Sequence, residues 1–216
     1  MQVQSKIKKL DDHLINQIAA GEVVERPASA LKEIIENSID AGATEVTVEL
    51  EHGGKTLIRV GDNGHGLAEH DLPLVFERHA TSKIQNLEDL QNNLHLGFRG
   101  EALAAISSVS NIEFASRSTA SEHGVCCNNT GQISSVAMNV GTRVVIKDLF
   151  FNTQARLKYL KTDASEYKNC LDVFTNYALA HPSKQFTLVH NHKQIFQLKP
   201  EPLAQRAQKL LGLNFE

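Results

Sequence analysis

No apolar run in this 216-residue chain approaches the roughly 20 residues that a membrane-crossing helix needs, which excludes a membrane protein built on such helices. The first ten residues are polar and rich in lysine, so no secretory signal core is present and a cytoplasmic protein is expected. Charge of one sign is also lacking. With 22 Lys plus Arg against 25 Asp plus Glu the formal net charge is -3, and any DNA binding must rely on a local patch rather than an overall basic field. Cysteine is scarce: Cys126, Cys127 and Cys170 are odd in number and two are adjacent, a spacing that builds neither a disulfide framework nor a tetrahedral zinc site. They read as reduced structural thiols. The ten histidines form no HExxH pattern. The phosphate-binding signature GxxxxGKS/T is missing as well, so a P-loop ATPase is excluded and any phosphate site must be built differently.

What is present reads as one well-buried mixed domain, since 41% hydrophobic and 22% charged residues are ordinary globular values. Leu10, Leu14, Ile15 and Ile18 recur at helical spacing up to Gly21. Pro27 then opens a second helix whose apolar stripe is Leu31, Ile34, Ile35 and Ile39, with Gly42 as its left-handed stop. Val46, Val48 and Leu50 alternate with polar residues, and Gly53-Gly54 turns the chain into Thr56, Ile58 and Val60, a strand hairpin. A helix carrying Leu72, Val75 and Phe76 is expected from Asp71, and another over residues 101–109. Strands follow at 112–116, 132–138 and 142–146, with turns filling 118–131. The remainder reads as a helix over 163–180 stopped by Pro182, a hairpin around Asn191-His192, and a linker at Pro200 and Pro202 before a helix at 203–211.

Three segments carry chemistry. On the helix opened by Pro27, Glu33, Glu36, Asn37 and Asp40 share one stripe. That stripe reads either as a solvated acidic face or as a reactive one. Glu33, one turn before Asn37, has the spacing to hold an attacking water while the amide oxygen ligates Mg2+ on a triphosphate, with Glu36 a bystander. Asp62, at the end of a strand, is followed by Gly64 and Gly66. It reads either as a plain turn or as a pocket floor where an acceptor-only carboxylate takes a hydrogen bond from an exocyclic amine such as adenine's. Gly97, Phe98, Arg99 and Gly100 lead into a helix, so they form either a connector or a phosphate cradle at a helix N-terminus. Thr81, Ser82 and Lys83 add hydroxyl and ammonium donors, as a capped turn or as a segment closing over phosphates.

The wording and order of these segments resemble the GHKL superfamily, whose members share the Bergerat ATP fold, and within it the N-terminal domain of the MutL family of DNA mismatch-repair proteins. The phrases that carry the resemblance are NQIAAGEVVERP from Asn16, ENSIDAGAT from Glu36, RHATSK from Arg78, GFRGEAL from Gly97 and VGT from Val140. It implies an α/β fold, a two-layer sandwich of helices on a mixed, largely antiparallel sheet. ATP and Mg2+ are the implied ligands, with Glu33 as general base, Asn37 on the metal and Asp62 reading adenine. Thr142 would lie near the base, and residues 81–83 and 97–100 would form a lid. Ala41 and Leu96 join Gly64 and Gly66 in the implied nucleotide site.

Residues 1–200 are expected to form this domain and 201–216 the linker and truncated start of a second. The family's second domain supplies a lysine to the γ-phosphate, so weak hydrolysis is expected of residues 1–216 alone. The resemblance further implies self-association on nucleotide binding, a mismatch-recognition partner of MutS type, a downstream nuclease and helicase, and weak DNA binding. Two departures stand out: Gln154 where the family has proline, and a short stretch over 118–138. Two other readings compete. One is a different GHKL enzyme, such as a kinase or topoisomerase subunit. The other is a DNA-binding or dimerisation module, whose best support is the cationic stretch Arg156, Lys158, Lys161 and Lys168, a stretch that reads first as an ordinary solvated face.

Overall fold

Proline fixes φ where a helix can begin, and helix α1 (Pro27–Asp40) starts at that residue and stops where Gly42 takes φ of +72°. The computed structural model describes residues 23–83, 96 and 100–212. The helix expected up to Gly21, and Gly97, Phe98 and Arg99, lie outside the described residues. Along α1 the apolar stripe turns inward, with Leu31, Ile34 and Ile35 at most 2% exposed.

Strands β1 (Glu45–Glu51) and β2 (Leu57–Asp62) form the expected antiparallel hairpin around a short 3-10 turn, His52–Gly54, with Val48 opposite Val60. Helix α2 (Ala102–Val109) leads to β3 (Asn111–Arg117), β4 (Gly124–Asn128), β5 (Ile133–Val136) and β6 (Gly141–Lys147). Then come α3 (Gln154–Tyr159), α4 (Asp163–Ala180), β7 (Gln185–His190), β8 (Lys193–Leu198) and α5 (Leu203–Leu211). The eight strands form one sheet in the order β5-β4-β3-β6-β2-β1-β7-β8. Of these pairings only β1 with β7 is parallel. The inward residues of β1 (Val46, Val48 and Leu50) join Leu31, Ile35, Phe174 and Phe186 in one core between sheet and helices. This is the helix-on-mixed-sheet architecture expected from the sequence.

Three elements differ from expectation. The segment expected as a helix from Asp71 is a 3-10 helix, Glu69–Phe76, with Pro73 inside it, where proline's missing N–H breaks the α pattern. Within the supposed turn region lies β4, whose Val125 and Cys127 point into the core while Cys126 is only partly covered. Helix α3 buries none of its residues and so has no apolar period to read. All three cysteines are free, and burial pushes the thiols of Cys127 and Cys170 up to about 11 and about 12, as suits inert core residues. Among the described residues no helix is long and apolar enough to cross a membrane.

Helix α4 is capped by the Thr162 hydroxyl, which accepts from the Ser165 N–H, and Asp163 and Glu166 favour the positive end of its dipole. Phe174 meets Phe186 edge to face at 5.9 Å. Helix α5 is tied to this layer by Arg206, which is fully buried. Its Nη1 donates to the Ala178 carbonyl at 2.9 Å, its Nη2 to the carbonyls of Pro182, Lys184 and Lys199, and its Nε to Glu201. Arg206→Lys keeps the charge but gives up the planar fork, and is expected to cost about 2 kcal/mol. The readout is a lower urea midpoint at unchanged slope; an unmoved midpoint would show that the fork contributes nothing.

Candidate active site

The C-terminal half of α1, the end of β2 and the segment around Lys83 enclose a cavity of about 1050 Å³. Glu33, Asn37 and Ala41 line it from the helix, Asp62 and Thr142 from the sheet, and Thr81, Ser82, Lys83, Leu96 and Gly100 from the opposite wall. Residues read separately along the chain are thus brought to one place. Gly66 lines the cavity too, whereas Gly64 packs behind it against Ala41.

Asp62 stands opposite Thr142 in the β2–β6 ladder, so the register of two strands fixes both. One carboxylate oxygen accepts from the N–H groups of Gly64 at 2.9 Å and Thr142 at 3.3 Å, and the other from the Ser38 hydroxyl at 2.8 Å. Burial pushes the Asp62 carboxyl above its ordinary value, and these three hydrogen bonds pull against it. Gly141 lets the next strand approach: a Cβ there would lie 2.0 Å from the Asp62 carbonyl oxygen. Gly66, at φ of +66°, crosses the Arg117 carbonyl as closely. Behind Thr142, Ser116 accepts from the Leu67 N–H at 2.8 Å and donates to the Gly141 carbonyl at 3.0 Å.

The other half of the site is electrostatic. Lys83 Nζ donates to Asn37 Oδ1 at 2.8 Å and to Asp40 Oδ2 at 2.6 Å, and the other Asp40 oxygen accepts from the Leu96 N–H at 3.1 Å. The amide oxygen of Asn37 therefore already faces a cation, shared with a carboxylate on the same helix face. Such an oxygen pair suits a hard metal ion. Lys83 N–H also donates to the Thr81 hydroxyl, and Gly100 meets the same segment through its carbonyl, which accepts from His79 N–H at 3.1 Å.

Glu36 is not on a solvated face: it is 6% exposed, 3.3 Å from Lys32, and receives a hydrogen bond from the Tyr177 hydroxyl of α4. Because α4 packs along α1, the acidic stripe faces a cavity and a neighbouring helix. Sequence reading gave no role to Ser38, Asp40, Ser116 or Tyr177. The one visible signal was a serine, Ser38, placed where the helix otherwise turns apolar residues inward.

An acidic helix face and a strand-end aspartate across one cavity, on helices covering a mixed sheet, define a nucleotide-binding domain of the GHKL class. Residues 25–165 match the family model described as Histidine kinase-, DNA gyrase B-, and HSP90-like ATPase. Two curated proteins, each a DNA mismatch repair protein MutL, are 51% identical to the chain. The one from Neisseria gonorrhoeae matches over 98% of this chain and 33% of its own length, the one from Thiobacillus denitrificans over 97% and 36%. A solved structure, the Aquifex aeolicus MutL ATPase domain complexed with ADP, superposes with a TM-score of 0.72 at 33% identity, covering 90% of this chain and 72% of that one. The chain belongs to the MutL family of DNA mismatch repair proteins, within its ATPase domain. It spans about a third of the length of the curated relatives it matches.

Proposed function

We propose that this chain binds ATP with Mg2+ in the cavity and hydrolyses it, and that nucleotide binding orders the lid as a switch for self-association. The observation that carries the reading is the convergence of Glu33, Asn37 and Asp62 on one cavity. Asp62 accepts from the adenine amine, and Glu33 takes the proton of the water that attacks the γ-phosphorus. Asn37 would hold the metal, which when bound would neutralise charge on the phosphate oxygens. Lys83 leaves Asn37 and Asp40 for the phosphates, and with it residues 81–83 and 97–100 close.

In the full-length protein this switch couples a MutS-type mismatch-recognition protein to a downstream nuclease and helicase in the cytoplasm. Weak DNA contact of the full-length protein is part of the same reading and rests on the family resemblance. The Aquifex neighbour with bound ADP supports the nucleotide assignment. We further infer that residues 1–200 belong to the nucleotide domain and 201–216 to the linker and start of a second.

The test is equilibrium binding of a non-hydrolysable ATP analogue, scored together with oligomeric state; absence of binding rejects the proposal. Asn37→Ala removes the amide oxygen and is expected to abolish about a tenfold gain in analogue affinity on adding Mg2+. If that gain survives intact in Asn37→Ala, the ligand role is wrong.

A further inference from the structure

We propose that Tyr177 is a positioning residue for ATP hydrolysis, donating its hydroxyl to buried Glu36 and so fixing the turn of α1 that carries Glu33 and Asn37. The inference rests on Glu33 acting as the base. Tyr177 and Glu36 lie on different helices, α4 and α1, and the contact is made only when the two pack together. An ionised carboxylate that is 6% exposed is costly to bury unless its oxygens are hydrogen-bonded. Lys32 supplies one partner from the same helix, but its own side chain is 50% exposed and it cannot tie α1 to anything else. Tyr177 can.

A helix is stiff, so pinning position 36 fixes the direction in which positions 33, 37 and 40 project. The phenol is set among all these carboxylates. Burial, the Glu36 hydrogen bond and the charges of Glu36, Glu33 and Asp40 hold its proton well above the ordinary tyrosine range, so it stays a donor. The pin has a fixed base, because the carbonyl of the next residue, Ala178, is held by the Arg206 guanidinium at 2.9 Å. Glu36 lines the cavity but Tyr177 does not, so the effect of the phenol is on where the base points.

Tyr177→Phe removes one oxygen and leaves the ring in place. In the full-length protein kcat at saturating Mg-ATP is expected to fall about tenfold, because misplacing a base by a fraction of an ångström is enough. Affinity for a non-hydrolysable analogue should stay within about twofold. A structural role alone would lower the urea midpoint and leave kcat per folded molecule unchanged, and that result overturns the proposal. Glu36→Gln, which still offers an oxygen to the phenol, is the second variant and should keep turnover within about threefold. A collapse of kcat there would assign the effect to the charge of Glu36 and would equally overturn it. Glu33→Ala, run alongside, separates the two levels: full turnover in that variant removes the base assignment itself. Lost turnover there with normal Tyr177→Phe removes only the positioning role.

Discussion

Glu33→Ala is expected to bind ATP within about twofold of wild type and to lose turnover by about 10²–10⁴-fold, the range a positioned general base contributes. In the proposed mechanism proton transfer from water belongs to the transition state: as the water oxygen bonds to the γ-phosphorus, its proton would pass to the Glu33 carboxylate and ADP depart with the electron pair of the broken P–O bond. Alanine offers no acceptor for that proton, while in the proposed site ground-state binding would rest on Asp62 and the lid. The loss should therefore appear in kcat and leave analogue affinity intact. Glu36, one turn further on, cannot take over, because Lys32 and the Tyr177 hydroxyl engage it in the wall between α1 and α4. Steady-state turnover and analogue titration on the same preparations decide the matter. Unchanged hydrolysis would reject Glu33 as the base, and a parallel loss of binding would mean it holds substrate instead.

How much of this was legible follows from where each signal resides. Helix α1 was readable at both ends because Pro27 and Gly42 act through their own backbones, and the β1–β2 hairpin because period two survives in Val46, Val48 and Leu50. The hairpin of β7 and β8 was equally local: Asn191 and His192 both take positive φ, as a tight turn requires. Strand β4 escaped because its five residues include two cysteines and lie between turn-rich flanks, and its strand character comes from pairing with β3 and β5. The parallel pairing of β1 with β7 joins distant segments and leaves no mark in either one.

The site divides the same way. Glu33, Asn37, Asp62 and the Thr81, Ser82, Lys83 run stood out because their chemistry, or their resemblance to a family, is carried by contiguous residues. Ser38, Asp40 and Tyr177 matter only through partners elsewhere: Asp62, Lys83 and Glu36 respectively. Their roles are properties of packing, and an isolated serine, aspartate or tyrosine in a helix does not announce them. Two of the three act on residues that were legible, so the visible part of the site is held in place by the part that was not.

Asp62→Asn should carry the largest change in specificity. In the wild-type protein both carboxylate oxygens already accept, one from Gly64 and Thr142 and the other from Ser38, so the side chain is an acceptor in every direction. Asparagine must leave its carbonyl oxygen toward the two backbone N–H groups and turn its amide NH2 toward Ser38 and the base. There a donor meets the adenine amine, and ATP affinity is expected to fall about 10²–10³-fold, about 3–4 kcal/mol. Guanine presents a carbonyl at the corresponding position, so the same NH2 gains a partner and discrimination against GTP should shrink further than ATP binding alone implies. The pH dependence has a definite sign. Burial raises the Asp62 carboxyl, and the proposed adenine contact requires the ionised form, so wild-type affinity should decline as pH falls while still above the ordinary carboxylate value. Titration of the nucleotide itself is common to both proteins, and the difference between wild type and Asp62→Asn isolates the side chain. Binding of ATP and GTP analogues across that pH range is the measurement. An Asp62→Asn protein that keeps both wild-type ATP affinity and the wild-type pH profile would remove Asp62 from the adenine contact.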